Sequence, residues 1–334
     1  MKKFTNALLS GLVAVSLAAC GSGSAAASSA TDTSSASSGS GEETINVGVV
    51  QLVQHVALDA ATQGFVDVLN EKFGDRVAID VQNASGDSAT CSTIVNRFVS
   101  DKVSLIMANA TPALQASASA TDSIPILGTS ITEYGVALSL DGFNGTVGGN
   151  ISGTSDLAPL DQQAAMFKEL LPNAKNVGIL YCSAEANSVY QAEVVKKALE
   201  EDGLNVTVYT FADSNDVSSV TNTAVSENDA LYIPTDNTAA SCAEAINNVA
   251  LPAGIPIICG EEGICKSCGI ATLSIDYYEL GRTTGEMAVR ILNGEAKISE
   301  MPIEYYPSPA KKYDEARCTE LGITIPEGYE AIAD

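Results

Sequence analysis

Apolar runs and amphipathic stretches alternate along most of this 334-residue chain. Short, nearly continuous apolar runs, as in 230–233, are typical of buried parallel strands, whereas longer stretches with apolar residues three and four apart, as in 188–201, predict helices. The predicted strands are 44–51, 77–83, 104–108, 124–128, 146–151, 176–181, 205–210, 230–233, 256–260 and 271–274. The predicted helices are 57–73, 90–100, one that begins at Pro112, 160–171, 188–201, 217–225, 239–250 and 278–292.

The order of these elements predicts an α/β fold. Strand and helix alternate through 44–151 and again through 160–292, and right-handed crossovers turn each series into a parallel sheet covered by helices. Neither series contains a GxGxxG or Walker sequence, so no nucleotide-binding loop is indicated. We therefore expect two doubly wound parallel-sheet lobes joined by a hinge, with a ligand cleft where the carboxyl ends of the strands face each other.

The chain begins with the pattern of a secretory signal. Two lysines precede an apolar run, 7–17, that is too short to cross a bilayer, and small residues lead from it to Cys20. The sequence Leu-Ala-Ala-Cys resembles a lipobox, which implies removal of residues 1–19 and a diacylglycerol on Cys20. Residues 20–43 are then a flexible tether, because they consist mainly of Gly, Ser, Ala and Thr. These features predict a domain that is lipid-anchored on the extracytoplasmic face of the cell membrane.

Charge and residue counts exclude several classes of function. A net charge of −24 leaves no cationic surface for nucleic acid, and it makes the acyl chains rather than the protein body the expected contact with the membrane. With 46% hydrophobic residues the chain is not disordered. It has one histidine, no GxSxG sequence and no Cys/His pair with an orienting partner. We therefore expect no catalytic activity, no metal site and no cofactor.

Cysteine usage leaves several interpretations open. Seven cysteines remain beyond Cys20, an odd number that cannot all pair within one chain. Cys265 and Cys268 form the only close pair, in a segment whose glycines predict a turn. The alternatives are a local disulfide, free thiols, a redox motif, which requires a helix start, and a zinc site, for which a second CxxC is missing.

Polar residues follow the predicted strands at the edge where the cleft is expected. Helices also begin at this edge, so each Ser, Thr, Asn or Asp there has a second interpretation as a helix cap. Asp156 and Glu262 lie in two of these loops without an assigned role. The candidate ligand-binding residues are Gln51, His55, Asn109, Thr111, Thr129, Ser130, Ser155, Asn187, Ser188, Thr235, Asp236, Asn237, Glu261 and Asp276.

Six segments at these loops carry a family resemblance. In their order, and over residues 44–334, they are similar to the ABC-importer substrate-binding lipoproteins described as tryptophan/tyrosine-binding. The segments are Val47–His55, Ala108–Pro112, Gly153–Leu157, Glu185–Ser188, Pro234–Asn237 and Ile275–Gly281. The resemblance implies a type I periplasmic-binding-protein fold with passages between the lobes near Ser155, Asp276 and Ile298. The implied first lobe is 44–155 plus 277–297, and the second is 156–276 plus 298–334.

The resemblance also implies the function. The protein would deliver a small ligand, most of all an aromatic amino acid, as a monomer to ABC permease subunits. The chain has no tryptophan, and Tyr134 and Tyr181 are the rings best placed by loop position to contact an aromatic ligand. The alternatives are a binder of another small solute such as a branched amino acid, nucleoside or sugar, a ligand-sensing lipoprotein, and an envelope redox enzyme that uses Cys265 and Cys268.

An amino-acid ligand has a carboxylate and an ammonium group to be held. Thr111 and the helix N-terminus at Pro112 offer donors to the carboxylate without a Lys or Arg, and Thr129 and Ser130 add hydroxyls. In the second lobe Asp236 is the candidate for the ammonium. The alternative for Asp236 is a plain N-cap on the helix that follows.

The remaining candidates have weaker support. Asn187 and Ser188 are either ligand contacts or helix caps, and Asp276 is expected to be a structural cap more than a ligand contact. Gln51 and His55 follow the first strand, and the resemblance implies that this loop lies at the cleft.

Overall fold

The first stretch of strands and helices builds the larger part of one lobe. The computed structural model describes residues 44–333, so the signal 1–19, Cys20 and the tether 20–43 lie outside the described residues. The elements are β1 (Ile45–Gln51), α1 (Val56–Phe73), β2 (Val77–Asn83), α2 (Ser88–Asp101), β3 (Leu105–Asn109), α3 (Thr111–Ala120), β4 (Ile126–Ile131), α4 (Tyr134–Ala137) and β5 (Ile151–Ser155).

The second stretch builds most of the other lobe, and the chain then visits both lobes again. The elements of the second stretch are α5 (Leu160–Leu170), β6 (Asn176–Cys182), α6 (Ala186–Glu201), β7 (Asn205–Phe211), α7 (Val217–Glu227), β8 (Ala230–Ile233), α8 (Asn237–Ser241), α9 (Ala243–Ala250), β9 (Ile257–Cys259), α10 (Glu262–Cys268) and β10 (Ala271–Ser274). The C-terminal elements are α11 (Tyr277–Leu292), β11 (Glu304–Tyr305), β12 (Ala310–Tyr313), α12 (Glu315–Glu320) and β13 (Glu330–Ala331), with short 3-10 turns at Gly74–Arg76 and Ile298–Glu300.

Each lobe has one sheet. The first has the order β11-β5-β4-β3-β1-β2 with parallel neighbours throughout, and the second has the order β13-β12-β10-β9-β8-β6-β7. In the second sheet β12 runs antiparallel to β10, and the other pairs are parallel. The central strands β3 and β8 are buried along their whole length, as continuous apolar strands between helical layers are. The predicted α/β class with two doubly wound lobes is confirmed.

Helix α11 is fastened to the first lobe by close helix packing. A Cβ on Gly281 would lie 2.0 Å from the carbonyl oxygen of Ala61, and one on Gly64 would lie 2.1 Å from the carbonyl oxygen of Tyr278. Glycine at both positions therefore lets the backbones of α1 and α11 approach more closely than any larger residue permits. The helix that follows the return passage at Asp276 is held in place by this contact.

Within the described residues, the chain crosses from one lobe to the other at three places. The chain leaves the first sheet after β5 and returns to it after β10. The expected third passage near Ile298 is wrong, because β11 still pairs with β5 in the first sheet, with Tyr305 beside Ser155. Ile303 is likewise buried in the core of the first lobe. The third passage therefore lies between Tyr305 and Ala310.

Some local predictions also differ from the structure. The strand expected at 146–151 is displaced to β5, because Gly148 and Gly149 adopt φ values of 82° and 58° that end extended structure there. The expected helix 239–250 is two helices separated at Cys242, and the expected turn around Cys265 is the helix α10. In residues 44–333 no helix has the length and apolar character needed to cross a membrane.

Candidate functional site

The two lobes touch through loops that follow parallel strands. His55, after β1, lies with its Nε2 3.3 Å from Oδ1 of Asn237, after β8. Burial lowers the pKa of His55, against the opposing effect of this hydrogen bond. Helix α4 of the first lobe also packs against α6 of the second. The carboxyl edges of the two sheets therefore face each other, as the cleft prediction requires.

Cavities distinguish this edge from the rest of the surface. A cavity of about 280 Å³ lies between the lobes and is lined by Leu52 and Pro112 from one side and by Glu185 and Thr238 from the other. A larger depression of about 710 Å³ lies at the amino ends of the strands of the second lobe, where 169–174 and 322–326 line it. Ligands of open α/β sheets bind at the carboxyl ends, so we place the candidate site between the lobes.

The N-terminus of α3 is left without a side-chain cap. Thr111 is the first helical residue and Ala110 holds the cap position, so the alternative interpretation of a polar residue here as a helix cap does not apply to Thr111. Ala110 has φ 87°, a left-handed conformation that is strained for a residue with a Cβ, and it offers no side-chain acceptor to the first amides of the helix. Strain of this kind is typical of functional loops, and uncapped helix amides bind anions.

Ser130 and Thr129 behave differently although they are neighbours in β4. The hydroxyl of Thr129 lies 3.2 Å from that of Thr154 and 3.1 Å from that of Thr284 on α11, so it is used inside the first lobe. Ser130 has a left-handed φ of 55°, and its buried Oγ has no hydrogen-bond partner. Ser130, rather than Thr129, has a hydroxyl left for a ligand.

Gln51 and Asn109 join their strands to α1. Gln51 donates to Asp59 and to the carbonyl of Val53 and accepts from Thr62 at 2.6 Å, so both ends of its amide are used. Asn109 donates to the carbonyl of Leu58 at 2.8 Å and to Thr62, but its buried Oδ1 has no partner. Only Asn109 of these two retains a buried acceptor.

The first passage contains Ser155 and Asp156. Ser155 donates to the carbonyl of Thr132 at 2.9 Å and accepts from the amide of Leu157, so it shapes the turn. Asp156 is almost fully buried; its Oδ2 accepts from the hydroxyl of Tyr277 at 2.9 Å, and its Oδ1 has no partner. Burial raises the pKa of Asp156 to about 6. The sequence placed Asp156 in a cleft loop but gave no signal that one of its oxygens would be unpaired.

Asp236 is a helix cap. Its Oδ1 accepts from the amide of Ala239 and its Oδ2 from the amide of Cys182, both at 2.7 Å. Burial, and next the charge of Glu185, raise its pKa. Both oxygens accept from backbone amides, so Asp236 has the N-cap role that was its alternative, and it keeps no unpaired oxygen for an ammonium group. Glu185 has a similar task, because it accepts from the amides of Asn237 and Thr238.

Asn187 contributes the unpaired acceptor of the second lobe. Its Nδ2 donates to the carbonyl of Thr235 at 2.9 Å and lies 3.3 Å from the hydroxyl of Ser188, whereas its buried Oδ1 has no partner. The amide of Thr235 donates to Gln191, which fixes this loop against α6. Thr235 and Ser188 therefore position Asn187.

The two remaining acidic candidates are caps as well. Glu261 accepts from the amides of Gly263 and Ile264 at the start of α10, and Asp276, which is exposed, accepts from the amide of Glu279 at 3.1 Å. The structural role expected for Asp276 agrees with this contact. Neither residue has a buried carboxylate oxygen without a partner, as Asp156 has.

The rings at the lobe interface are not those predicted. Tyr134 is buried in the first lobe, where its hydroxyl donates to the carbonyl of Thr154. Tyr181 is partly buried against the core of the second lobe, near Asp236. Burial, and next the charge of Glu133, raise the pKa of both Tyr190 on α6 and Tyr305 on β11. These two rings come from different lobes and lie near one carboxylate. Sequence periodicity missed Tyr305 because it sits on a two-residue strand, whereas Tyr190 lies in a predicted helix.

The seven cysteines within residues 44–333 are free thiols. Cys265 and Cys268 are buried in α10 and unpaired, so the local disulfide is absent. Cys259 lies close to both, and burial raises its pKa. Within residues 44–333 no group of three His, Cys, Asp or Glu side chains is arranged to hold a metal ion.

Taken by location, four unpaired buried atoms belong to this edge. A fifth, Oγ1 of Thr272, lies within β10 of the second sheet. An unsatisfied buried polar group costs about 1–3 kcal/mol, so these four atoms at the carboxyl edges of the two sheets are the candidate contacts of a ligand. The four are Oδ1 of Asn109, Oγ of Ser130, Oδ1 of Asp156 and Oδ1 of Asn187.

The chain is similar to known binding proteins over most of its length. The family model described as ABC transporter substrate binding protein matches residues 46–334. A tyrosine-binding protein of Clostridioides difficile (strain R20291) is 38% identical over 264 residues, which are 77% of this chain and 75% of that protein.

Two solved structures differ in how well they match. The ABC domain in complex with L-Trp from Streptococcus pneumonia is 34% identical, with a TM-score of 0.82 over 87% of this chain and 100% of that one. The ligand-free, open structure of a substrate binding protein with adhesive properties from Clostridium difficile is 36% identical, with a TM-score of 0.66 over 86% of this chain and 99% of that one. At nearly equal identity, the complex with L-Trp matches this chain better than the ligand-free, open structure does.

Burial of Glu261 makes stability depend on pH. Its pKa is raised to about 7 from an ordinary value of 4.5, because desolvation outweighs the two amide hydrogen bonds. The folded state therefore binds the proton more tightly than the unfolded state, and the stability gained by protonation is lost as the pH rises from about 4.5 to 7, by up to about 3 kcal/mol.

We expect urea denaturation to give a lower free energy of unfolding at pH 8 than at pH 5. The decrease between the two pH values should be smaller in Glu261→Gln. The exposed Glu286→Gln should keep the original decrease. Equal pH dependence in Glu261→Gln and the unchanged protein would contradict this prediction.

Proposed function

Because the chain belongs to the family of ABC transporter substrate-binding proteins, we propose that it holds a zwitterionic aromatic amino acid between its lobes and delivers it to an importer from the extracytoplasmic side. It has the type I periplasmic-binding-protein fold, and members of its family bind substrates rather than convert them. We propose further that it acts as a lipid-anchored monomer.

One observation carries the proposal: the unpaired buried acceptors and hydroxyl come from both lobes. Asn109 and Ser130 belong to the first lobe, Asn187 belongs to the second, and Asp156 lies on the passage between them. A ligand with several donors and a compact polar end can pair with all four, whereas an apolar ligand cannot. The free amides at the start of α3 complement the carboxylate of such a ligand.

The aromatic part of the proposal rests on the relatives and on two rings. The relatives are a tyrosine-binding protein and a protein in complex with L-Trp. We propose Tyr190 and Tyr305 as the ring contacts, since they come from opposite lobes and both lie near Glu133.

Closure of the two lobes follows if the ligand contacts both of them. A ligand that touches both lobes binds the closed arrangement better than the open one and shifts the population toward it. The contact between His55 and Asn237 is then part of the closed state. The permease subunits would recognise the surface formed when these loops meet.

Calorimetry on residues 42–334 tests the proposed ligand. We expect binding of L-tyrosine or L-tryptophan, and weak or no binding of leucine, nucleosides and simple sugars. Asn187→Ala should reduce the affinity about fivefold to 150-fold, the equivalent of 1–3 kcal/mol for an unpaired buried partner. Asn222→Ala, which removes an exposed asparagine from α7, should bind normally. Tight binding of a sugar or nucleoside without binding of aromatic amino acids would contradict the proposal.

The proposed anchor has its own test. A short apolar signal before Cys20 and a strongly acidic protein body leave lipid on Cys20 as the membrane contact. Cys20→Ser should move the protein from the membrane pellet to the soluble fraction, measured by fractionation after a high-salt wash, whereas Cys242→Ser should stay with the membrane. A Cys20→Ser protein that still sediments with membranes would show that the anchor lies elsewhere.

A further inference from the structure

Asp156 differs from the acidic candidates Asp236, Glu261 and Asp276. Asp236 and Glu261 each give both carboxylate oxygens to backbone amides. Asp276 is exposed and caps α11. Asp156 is 4% exposed and accepts a hydrogen bond from Tyr277, and the side chain of Thr132 also acts to lower its pKa. Its Oδ1 is buried without a hydrogen-bond partner of normal geometry.

The charge of Asp156 is also uncompensated. None of the ion pairs formed within residues 44–333 involves this carboxylate. The neighbouring titratable group is Glu261, which is itself acidic. A buried carboxylate without a counter-ion is strongly unfavourable. Burial accordingly raises the pKa of Asp156, and a cation placed beside the carboxylate would offset this cost.

Asp156 lies at the hinge, where the chain passes from the first lobe to the second. Asp156 directly follows β5 on the first passage, and its amide donates to the carbonyl of Ile131 at 3.2 Å. Tyr277 opens α11 on the return passage and is buried with Ile275 and Leu280. The hydrogen bond between Tyr277 and Asp156 therefore joins the two passages and aims one oxygen of the carboxylate.

We propose that Asp156 is the counter-ion of the ligand's ammonium group, and that Tyr277 positions it by joining the two passages at the hinge. The inference rests on the proposed binding of an amino acid and specifies how that site selects for a free amine. It accounts for the absence of a Lys or Arg partner, because the ligand supplies the cation. It also excludes ligands that carry a carboxylate and a ring but no amine.

The test compares L-tyrosine with 3-(4-hydroxyphenyl)propionate, which lacks only the amine. The unchanged protein should bind tyrosine at least about thirtyfold more tightly than the des-amino acid. Asp156→Asn keeps an acceptor for Tyr277 but removes the charge. It should lose at least about thirtyfold in affinity for tyrosine and none for the des-amino acid, so that the preference for the amine disappears. Asp276→Asn, which alters an exposed cap, should keep that preference.

Tyr277→Phe tests the positioning role. It should weaken binding of tyrosine less than Asp156→Asn does, because the charge remains, and it should reduce the preference over the des-amino acid. A merely structural tyrosine would lower the melting temperature and leave that preference unchanged.

The outcomes separate this inference from the proposed function. If a folded Asp156→Asn protein keeps the preference for the amine, Asp156 is not the counter-ion, although aromatic amino-acid binding stands. If the unchanged protein binds neither tyrosine nor tryptophan, the proposed function itself fails. Melting curves establish folding, and Asp156→Asn should melt no lower than the unchanged empty protein, because it removes an uncompensated buried charge.

Discussion

The two sheets face each other at their carboxyl edges, and the polar groups that collect there must find hydrogen-bond partners. Strand ends, helix starts and passages between the lobes all collect at this edge, and each brings backbone amides and polar side chains that must be paired when the lobes close. Most of them are paired by the protein itself. The caps at Asp236 and Glu261, the bonds from Gln51 to α1 and the hydroxyls of Thr129 and Thr284 all serve the lobes separately.

What is left unpaired defines what the cleft can bind. Acceptors and a hydroxyl remain on Asn109, Ser130, Asp156 and Asn187, and the first amides of α3 remain without a side-chain cap. The strained backbone at Ala110 belongs to the same edge. A small zwitterion meets these demands because it brings donors to the acceptors and an anion to the helix. The rigid packing of α1 on α11 keeps the hinge end of this arrangement in place.

The sequence predicted the lobes well because strand and helix periodicity is local. It did not predict β11, which has two residues and joins the first sheet only by pairing with β5, and the third passage was therefore placed too early. The candidate site was predicted as a set of loops but not residue by residue. Asp236 and Asp156 both follow strands, and only the structure shows that backbone amides engage both oxygens of the first and leave one oxygen of the second free. Likewise Thr129 and Ser130 are neighbouring hydroxyl residues in the sequence, but the left-handed φ of Ser130 places its hydroxyl in different surroundings from that of Thr129.

A crystal structure of the protein with L-tyrosine tests the central claim most directly, because it locates each polar end of the ligand. The account predicts a ligand between the lobes, with its amine nitrogen about 3 Å from Oδ1 of Asp156 and its carboxylate at the first turn of α3. A tyrosine with its amine on Asp236 or Glu261, or one bound outside the cleft, would contradict it.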